Sequence, residues 1–290
     1  MAVNINRLPG NPIIVPDMDG RMGSNINGPS LIRVPGWILN PLGKYYLYFA
    51  AHDGTYIRLA YAEALAGPWR TYEAGTLQLA QTGFPRHIAS PDVHVDHRER
   101  RIRMYFHGCC VDGAPNQVTC VATSGDGLRF EPRPEQLGAS YWRAFEWDGW
   151  TYTLEMPGQF RRSRDPLTGF AAGPRLFTPD MRHSAVLVRG HTLHVFWSNA
   201  GDCPERILTC TIDLRTDWTR WQASEPVTAI EPEMTWEGTD LPLAPSQRGL
   251  IRGRGRQLRD PAVFEDDGRQ YLLYSVAGEG GIALAEVKGL

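Results

Sequence analysis

Residues 258–279 read LRDPAVFEDDGRQYLLYSVAGE, and they decide the fold. A short apolar run at 261–264 stops at a polar turn containing Gly268, and an aromatic run at 271–274 follows. Two such runs joined by a tight polar turn signal a β-hairpin. A third run, GIALAEV, comes after the glycine-rich turn at 278–281. The stretch also poses a chemical question. Asp260 stands at the start of an expected strand, where aspartate is a poor strand former.

The same order recurs upstream. From Gly28, GPSLIRVPGWILNPLGKYYLYFAAHDGTYIRLAYAE gives an apolar strand, a turn with Gly43, an aromatic strand and a third strand. SPDVHVDHRERRIRMYFHG is completed by QVTCVATS, and YWRAFEWDGWTYTLEM more weakly by GQFRRSRD. RHSAVLVRGHTLHVFWSNAG is followed by RILTCTIDL. Imperfect copies at intervals of some tens of residues indicate a repeat architecture. Helical periodicity is nearly absent, and 30 glycines and 22 prolines punctuate short strands, so the chain reads as all-β. Meanders arranged radially make a five-bladed β-propeller, which leaves few exposed edges. A β-sandwich explains the repeated order less well. The expected blades are 28–80, 89–131, 139–178, 182–222 and 258–288, with the apolar run NPIIVP at 11–16 supplying the outer strand of the fifth. Residues 1–290 are expected to form a single propeller domain.

Composition narrows the partners. With 42% hydrophobic residues in 290, the chain can bury a sizeable core. A formal net charge of -2 offers no basic field for nucleic acid. The start MAVNINRLPGNPIIVP lacks a basic region followed by an apolar stretch, and no apolar run reaches spanning length, so no membrane partner and a cytoplasmic location are expected. Cys109, Cys110, Cys120, Cys203 and Cys210 form no CxxC pair and are expected to be free thiols. GRGR and GEGG lack a strand–helix context for phosphate, and no GxSxG elbow occurs. His94, Asp96 and His97 fall in a charged hairpin turn and are read as solvated. The sequence specifies no cofactor and no oligomeric state, and a central metal ion is not readable in it.

DPAVFEDDGRQYLLYS and SPDVHVD resemble the repeat signatures of five-bladed propeller glycosidases, the group containing glycoside hydrolase families 43, 32, 62 and 117. The resemblance runs over nearly the whole chain. It implies a saccharide bound over the central axis, at the face where each innermost strand begins. In a hairpin, the start of the first strand lies beside the end of the second. Asn27, Asp92, Arg143, Arg182 with His183, and Arg259 with Asp260 should therefore converge with His52, Asp53, His107, Ser198, Asn199 and Glu279. A pocket of this kind suits acid/base hydrolysis of a glycosidic bond, which needs one carboxyl to protonate the leaving oxygen and another to activate water.

The chain departs from that family's pattern. Its usual base is an aspartate before the first strand of the first copy, where Asn27 and Gly28 stand here. A pKa-tuning aspartate is usual in the third copy, which here has Arg143. The usual acid, a glutamate in an EGP motif of the fourth copy, is replaced by MRHSAV, and the nearest echo is Glu237 in WEGTDLP. Before a first strand, the DP pair stands at Asp260. The catalytic candidates are thus Asp92, Asp260, Glu237 and His183, the last resembling the histidine acid proposed in family 117. Trp142 is a candidate to stack on a sugar face, with Trp147 and Trp150 read as core. Cys109 or Cys110 beside His107 is a lesser nucleophile candidate.

Arg143 and Arg182 at strand entries suit an anionic saccharide such as a uronic acid. The run RGLIRGRGRQLRD, with Arg248, Arg252, Arg254 and Arg256, reads as surface arginines paired with nearby acids. The expected function is hydrolysis of a small saccharide. A propeller that binds saccharide without cleaving it, or a related transferring or rearranging enzyme, are the alternatives.

Overall fold

The computed structural model describes residues 3–109 and 117–290. It is a five-bladed β-propeller whose described residues form five antiparallel sheets. The innermost strands are Asn27–Arg33, Ile88–Asp96, Arg143–Trp147, Met181–Arg189 and Arg259–Asp266, and each pairs with the next strand in sequence. These strands begin within four residues of the expected blade starts, but the fourth blade runs past 222 to an outer strand at Val227–Ile230, and Gly138–Ala139 pairs with the second blade rather than opening the third. Cys110, one of the thiol candidates, lies outside the described residues.

Packing between blades explains why the second strands are apolar on both faces. In Tyr45–Ala50 every residue is buried. Successive side chains of a strand point to opposite faces. Tyr45, Leu47 and Phe49 accordingly pack against the fifth sheet with Phe264, Leu273 and Leu284. Tyr46, Tyr48 and Ala50 pack against the second sheet with Val93, Ile102 and Phe106. In the fifth sheet, Tyr271 and Leu273 face the first blade while Leu272 and Tyr274 face Phe196 and Ile207 of the fourth. An aromatic run without alternation is thus what a strand between two blades requires.

Closure corrects one expectation. The outer strand of the fifth sheet is Asn4–Arg7, paired with Ile282–Lys288, and not 11–16. An outer strand has one solvent face and needs no apolar run. Residues 11–16 instead contribute Ile13 and Ile14 to the core between the fifth and first blades, and they meet the Ile282–Lys288 strand where Ile13 and Ile14 bond Ile282 and the Asn11 side chain bonds the Leu284 amide and carbonyl. Glu237 holds the closure. It is fully buried and accepts from Arg7 Nε (2.8 Å) and Nη2 (3.0 Å), from the Tyr274 hydroxyl (3.0 Å), and from the Glu233 and Met234 amides (2.8 and 3.0 Å). Those donors leave it no lone pair for chemistry, so Glu237 ties the ends of the ring together rather than acting as a catalytic acid.

A bulge begins most innermost strands. The pairing register shifts between Asn27 and Ser30, Ala89 and Asp92, and Arg259 and Ala262. At each shift one residue is left-handed and a proline follows it: Gly28 (φ 61°) with Pro29, Ser90 (φ 49°) with Pro91, and Asp260 (φ 50°) with Pro261. At Gly28 no larger residue fits, because a Cβ there would lie 2.9 Å from the Ser90 Cα. The bulges re-aim these side chains from the sheet toward the axis.

Candidate active site

Two cavities lie along the axis. The bulge residues surround the upper one, a cavity of about 240 Å³ lined by Ser90, Tyr141 and Asp260, with Asn27, Arg182 and His183 beside them. The ends of the second strands and their loops add His52, His107 and Glu279. The lower cavity, about 120 Å³, is lined by residues further along the same strands, among them Ser30, Asp92, Arg143 and Ala262.

Asp92 therefore does not share a pocket with Asp260. In the bulge frame Ser90 matches Asp260, and Asp92 stands two residues further, roughly 6–7 Å along the strand. Its carboxylate accepts from the Ala144 amide at 2.8 Å, and it contacts His94 Nε2 at 2.8 Å and Arg143 Nη1 at 3.4 Å. Burial pushes its pKa up, but His94, Arg143 and that amide together hold it below the ordinary value. Asp92 is a fixed anion between blades.

Arg143 fills the axis. Its Nε donates to the Ser184 carbonyl (2.9 Å), Nη1 to that of Pro91 (2.9 Å), and Nη2 to those of Pro29 (3.1 Å) and Pro261 (3.4 Å). One buried guanidinium from the third blade thus satisfies carbonyls of the other four. It binds the propeller rather than a ligand. Trp142 is likewise removed from the site. It is buried with Tyr105 and Phe170, and its Nε1 donates to Glu155 at 3.0 Å. Asn199 lies off the upper cavity and accepts from Trp197 Nε1 at 3.2 Å.

The acidic groups among the described cavity residues are Asp260 and Glu279, both from the fifth blade rather than facing each other across the axis. Their environments push them apart. Asp260 Oδ1 accepts from the Tyr141 hydroxyl at 2.6 Å and lies 3.4 Å from His183 Nδ1, while Oδ2 is buried without a partner. Burial, with the charge of Glu279 beside it, raises the Asp260 pKa to about 6, against the pull of Tyr141, Arg182 and Arg259. Glu279 is treated oppositely. Burial would raise it, but Asn25 Nδ2 donates to Oε2 at 2.5 Å, His52 lies 3.6 Å from Oε1, and Arg259 Nη1 donates at 3.1 Å, so its pKa falls below the ordinary value. His52 is shifted upward by Glu279 despite its own burial.

Arg259 is itself buried behind Glu279 and is anchored by Glu205 (3.1 Å) and Gln257 (2.6 Å). It positions the carboxylate and offers nothing to the cavity. Arg182 reaches the cavity wall, but it donates to the Gln247 carbonyl at 2.8 Å and lies 3.6 Å from Glu205. His183 and His107 are neutral: burial pushes His183 well below its ordinary value and His107 down to about 3. The His183 ring stacks on Tyr141 with centroids 4.6 Å apart.

Sequence reasoning missed Asn25, Tyr141, His87 and Arg248. Tyr141 carries the left-handed bulge conformation (φ 61°) without the proline that marks it elsewhere. His87 lines the cavity, 3.3 Å by Nδ1 from the buried thiol of Cys109, so that cysteine pairs with His87 and not with His107. Arg248 is exposed, as expected of that run, but it reaches the cavity mouth from the long connection before the fifth blade instead of pairing with a nearby acid among the described residues. Among the described residues no cluster of three or more His, Cys, Asp or Glu side chains is arranged to hold a metal ion, and no helix is long and apolar enough to cross a membrane.

No protein-family model matches the chain. It is 35% identical over 297 residues to the uncharacterized protein R118 of Acanthamoeba polyphaga mimivirus, spanning 91% of this chain and 83% of that one. Among solved structures, a putative glycoside hydrolase from Parabacteroides distasonis superposes with a TM-score of 0.70 at 12% identity, over 100% of this chain and 98% of its own. A glycoside hydrolase family 43 β-xylosidase/α-arabinofuranosidase from a compost metagenome, in complex with xylotriose, superposes with a TM-score of 0.63 at 14% identity, over 98% and 94%.

Proposed function

From the premise that this chain belongs to the family of the mimivirus protein R118, on a propeller scaffold shared with glycoside hydrolases, we propose that it cleaves a glycosidic bond of a small saccharide by acid/base catalysis. The carrying observation is the split pair Asp260 and Glu279 in one cavity. Two titratable groups whose surroundings drive their pKa values in opposite directions mark an acid and its complementary base. Asp260, with a pKa near 6, holds a proton where an ordinary aspartate has lost it. Its Oδ2, buried and without a protein partner, is the oxygen left to carry that proton toward a leaving oxygen. Tyr141, donating to Oδ1, fixes which oxygen stays free. Glu279 stays ionised and serves as base or as the anion that stabilises positive charge developing on the sugar ring. His52 and Asn25 orient it. Neutral His107, whose Nδ1 accepts from the Tyr141 amide at 3.3 Å, offers its Nε2 to a sugar hydroxyl, while both ring nitrogens of His183 are met by the Asp260 amide and Arg182 Nε.

A cavity of about 240 Å³ lies below the ~300–1,000 Å³ of drug-sized pockets. That size suits a terminal sugar unit. The family 43 structure is in complex with xylotriose, which supports a saccharide as the ligand class. The experiment is a screen of phenyl glycosides, whose leaving group needs a proton, followed by Asp260→Asn and Glu279→Gln on the best substrate. Each is expected to lower turnover by about 10²–10⁴-fold. Turnover that survives both substitutions would end the proposal.

A further inference from the structure

We propose that Arg248 selects a saccharide carrying a carboxylate, which docks against its guanidinium at the mouth of the cavity. This rests on the glycosidase reading of the same site. Around the cavity, the other arginines are already matched. Arg182 and Arg259 both pair with Glu205, at 3.6 and 3.1 Å, and Arg259 pairs again with Glu279 at 3.1 Å. The two guanidinium charges thus meet two carboxylates, and Arg182 also donates to the carbonyls of Gln247 and Gly249.

Arg248 has no such match. Among the described residues no carboxylate lies within ion-pair distance of it; Nη2 donates to the Pro179 carbonyl at 2.6 Å, and Nη1 lies 3.8 Å from the Met156 sulfur. The carbonyl anchors the guanidinium plane at one corner. Nε and the remaining Nη hydrogens are left for a ligand. Its neighbour in sequence, Gly249, also lines the cavity, so the side chain is held over the opening by backbone that belongs to the site. Arg254 of the same run is spent elsewhere, on Asp240 at 3.4 Å and the Thr235 carbonyl.

The fork of an arginine fits a carboxylate through two parallel hydrogen bonds, which a hydroxyl cannot match. A ligand seated in the mouth also excludes water around the pair and strengthens it. The acidic groups below do not oppose such a ligand. The Glu279 charge is offset by Arg259 and His52, and the Asp260 carboxyl, bonded to Tyr141 on one oxygen, carries no charge in the protonated form that the glycosidase reading requires. A sugar acid entering the cavity therefore meets one unpaired cation at the rim, an offset Glu279, and an Asp260 that is uncharged while it holds its proton.

The test is calorimetric titration of the full chain with D-glucuronate and D-galacturonate against D-glucose and D-galactose, in wild type, Arg248→Gln and Arg248→Lys. Acids are expected to bind more tightly than their neutral counterparts. Arg248→Gln should cut that preference by roughly tenfold or more, the size of one charge-assisted pair. Arg248→Lys should retain part of it. Equal binding of acid and neutral sugars, a preference that survives Arg248→Gln, or no binding of either acid overturns the proposal. So does turnover that requires inorganic phosphate, since the guanidinium would then serve an attacking oxyanion. Cleavage of neutral aryl glycosides that depends on Asp260 but shows no acid preference leaves the glycosidase reading standing and removes only this inference. Arg248-dependent acid binding without any cleavage does the reverse.

Discussion

Replacing Asp260 by asparagine is expected to stabilise the protein at neutral and alkaline pH while lowering its activity on glycosides whose leaving group needs a proton. The carboxyl is buried, one oxygen has no partner, and its pKa is raised from 3.8 to about 6 by burial and by Glu279. Because the folded value is the higher one, the folded chain keeps this proton over a range in which the unfolded chain has released it. Folding takes up a proton between pH 3.8 and about 6, so stability falls as pH rises through that range. At ~1.4 kcal/mol for each factor of ten in proton affinity, the burden reaches about 3 kcal/mol above pH 6 and shrinks below ~1 kcal/mol near pH 4. Asparagine keeps the shape and an acceptor for Tyr141 but carries no charge. In a chain of this size ~1 kcal/mol moves the melting temperature by about 2 °C. The variant should thus melt roughly 6 °C higher than wild type at pH 8 and within ~2 °C of it at pH 4. Thermal unfolding at a series of pH values reads this directly. A variant no more stable than wild type at pH 8, or a difference that ignores pH, refutes the account of a destabilised, buried carboxyl.

Other positions give separate checks. Arg143→Ala leaves carbonyls of four blades unpaired at the axis and should cost more than about 3 kcal/mol in urea unfolding. Glu237→Gln loses the charge partner of Arg7 and should lower stability by ~1–3 kcal/mol while leaving kcat/KM at the wild-type value, since Glu237 holds the ring closure and not the site. His107 is neutral in the fold with its pKa down to about 3, below the unfolded 6.5. The stability linked to it is therefore complete above pH 6.5 and is lost as pH falls toward 3, and His107→Gln should flatten this acid limb in pH-dependent melting. Gly28→Ala places a Cβ 2.9 Å from the Ser90 backbone at a φ of 61° and should cost ~1–3 kcal/mol, read as a lower denaturant midpoint.

The blades were legible because their signals are local. A hairpin turn with an aromatic second strand reads within some twenty residues, and both faces of that strand are apolar because a neighbouring blade covers each. The closing strand was not legible. NINR at 4–7 is polar and half-exposed, as an outer strand allows, while the apolar run at 11–16 plugs a gap between blades. At the site, Asp260 and Glu279 stood out because one precedes a strand and the other follows one. Asp92 misled through its position. The prolines of NGP, ASP and RDP align Ser90 with Asp260 and leave Asp92 two residues further along the axis. Arg143 and Arg259 look like ligand-binding arginines in sequence, and their partners, the carbonyls of distant blades and the buried Glu205, exist only once the ring has closed. Arg248 is exposed, as its run suggests, and its place at the cavity mouth was not legible because a loop, not a strand, brings it there.

The central claim is that Asp260 gives its proton to the departing oxygen. Its most direct test is kcat/KM of wild type and Asp260→Asn on two glycosides of the same turned-over sugar, one with a 2,4-dinitrophenyl and one with a phenyl leaving group. Dinitrophenolate departs unaided, whereas phenol needs the proton. The account predicts a loss of ~10²–10⁴-fold on the phenyl glycoside, a rate close to wild type on the dinitrophenyl one, and the disappearance of the wild-type fall in activity as pH rises through about 6. Equal losses on both glycosides, or no loss on the phenyl one, would contradict it.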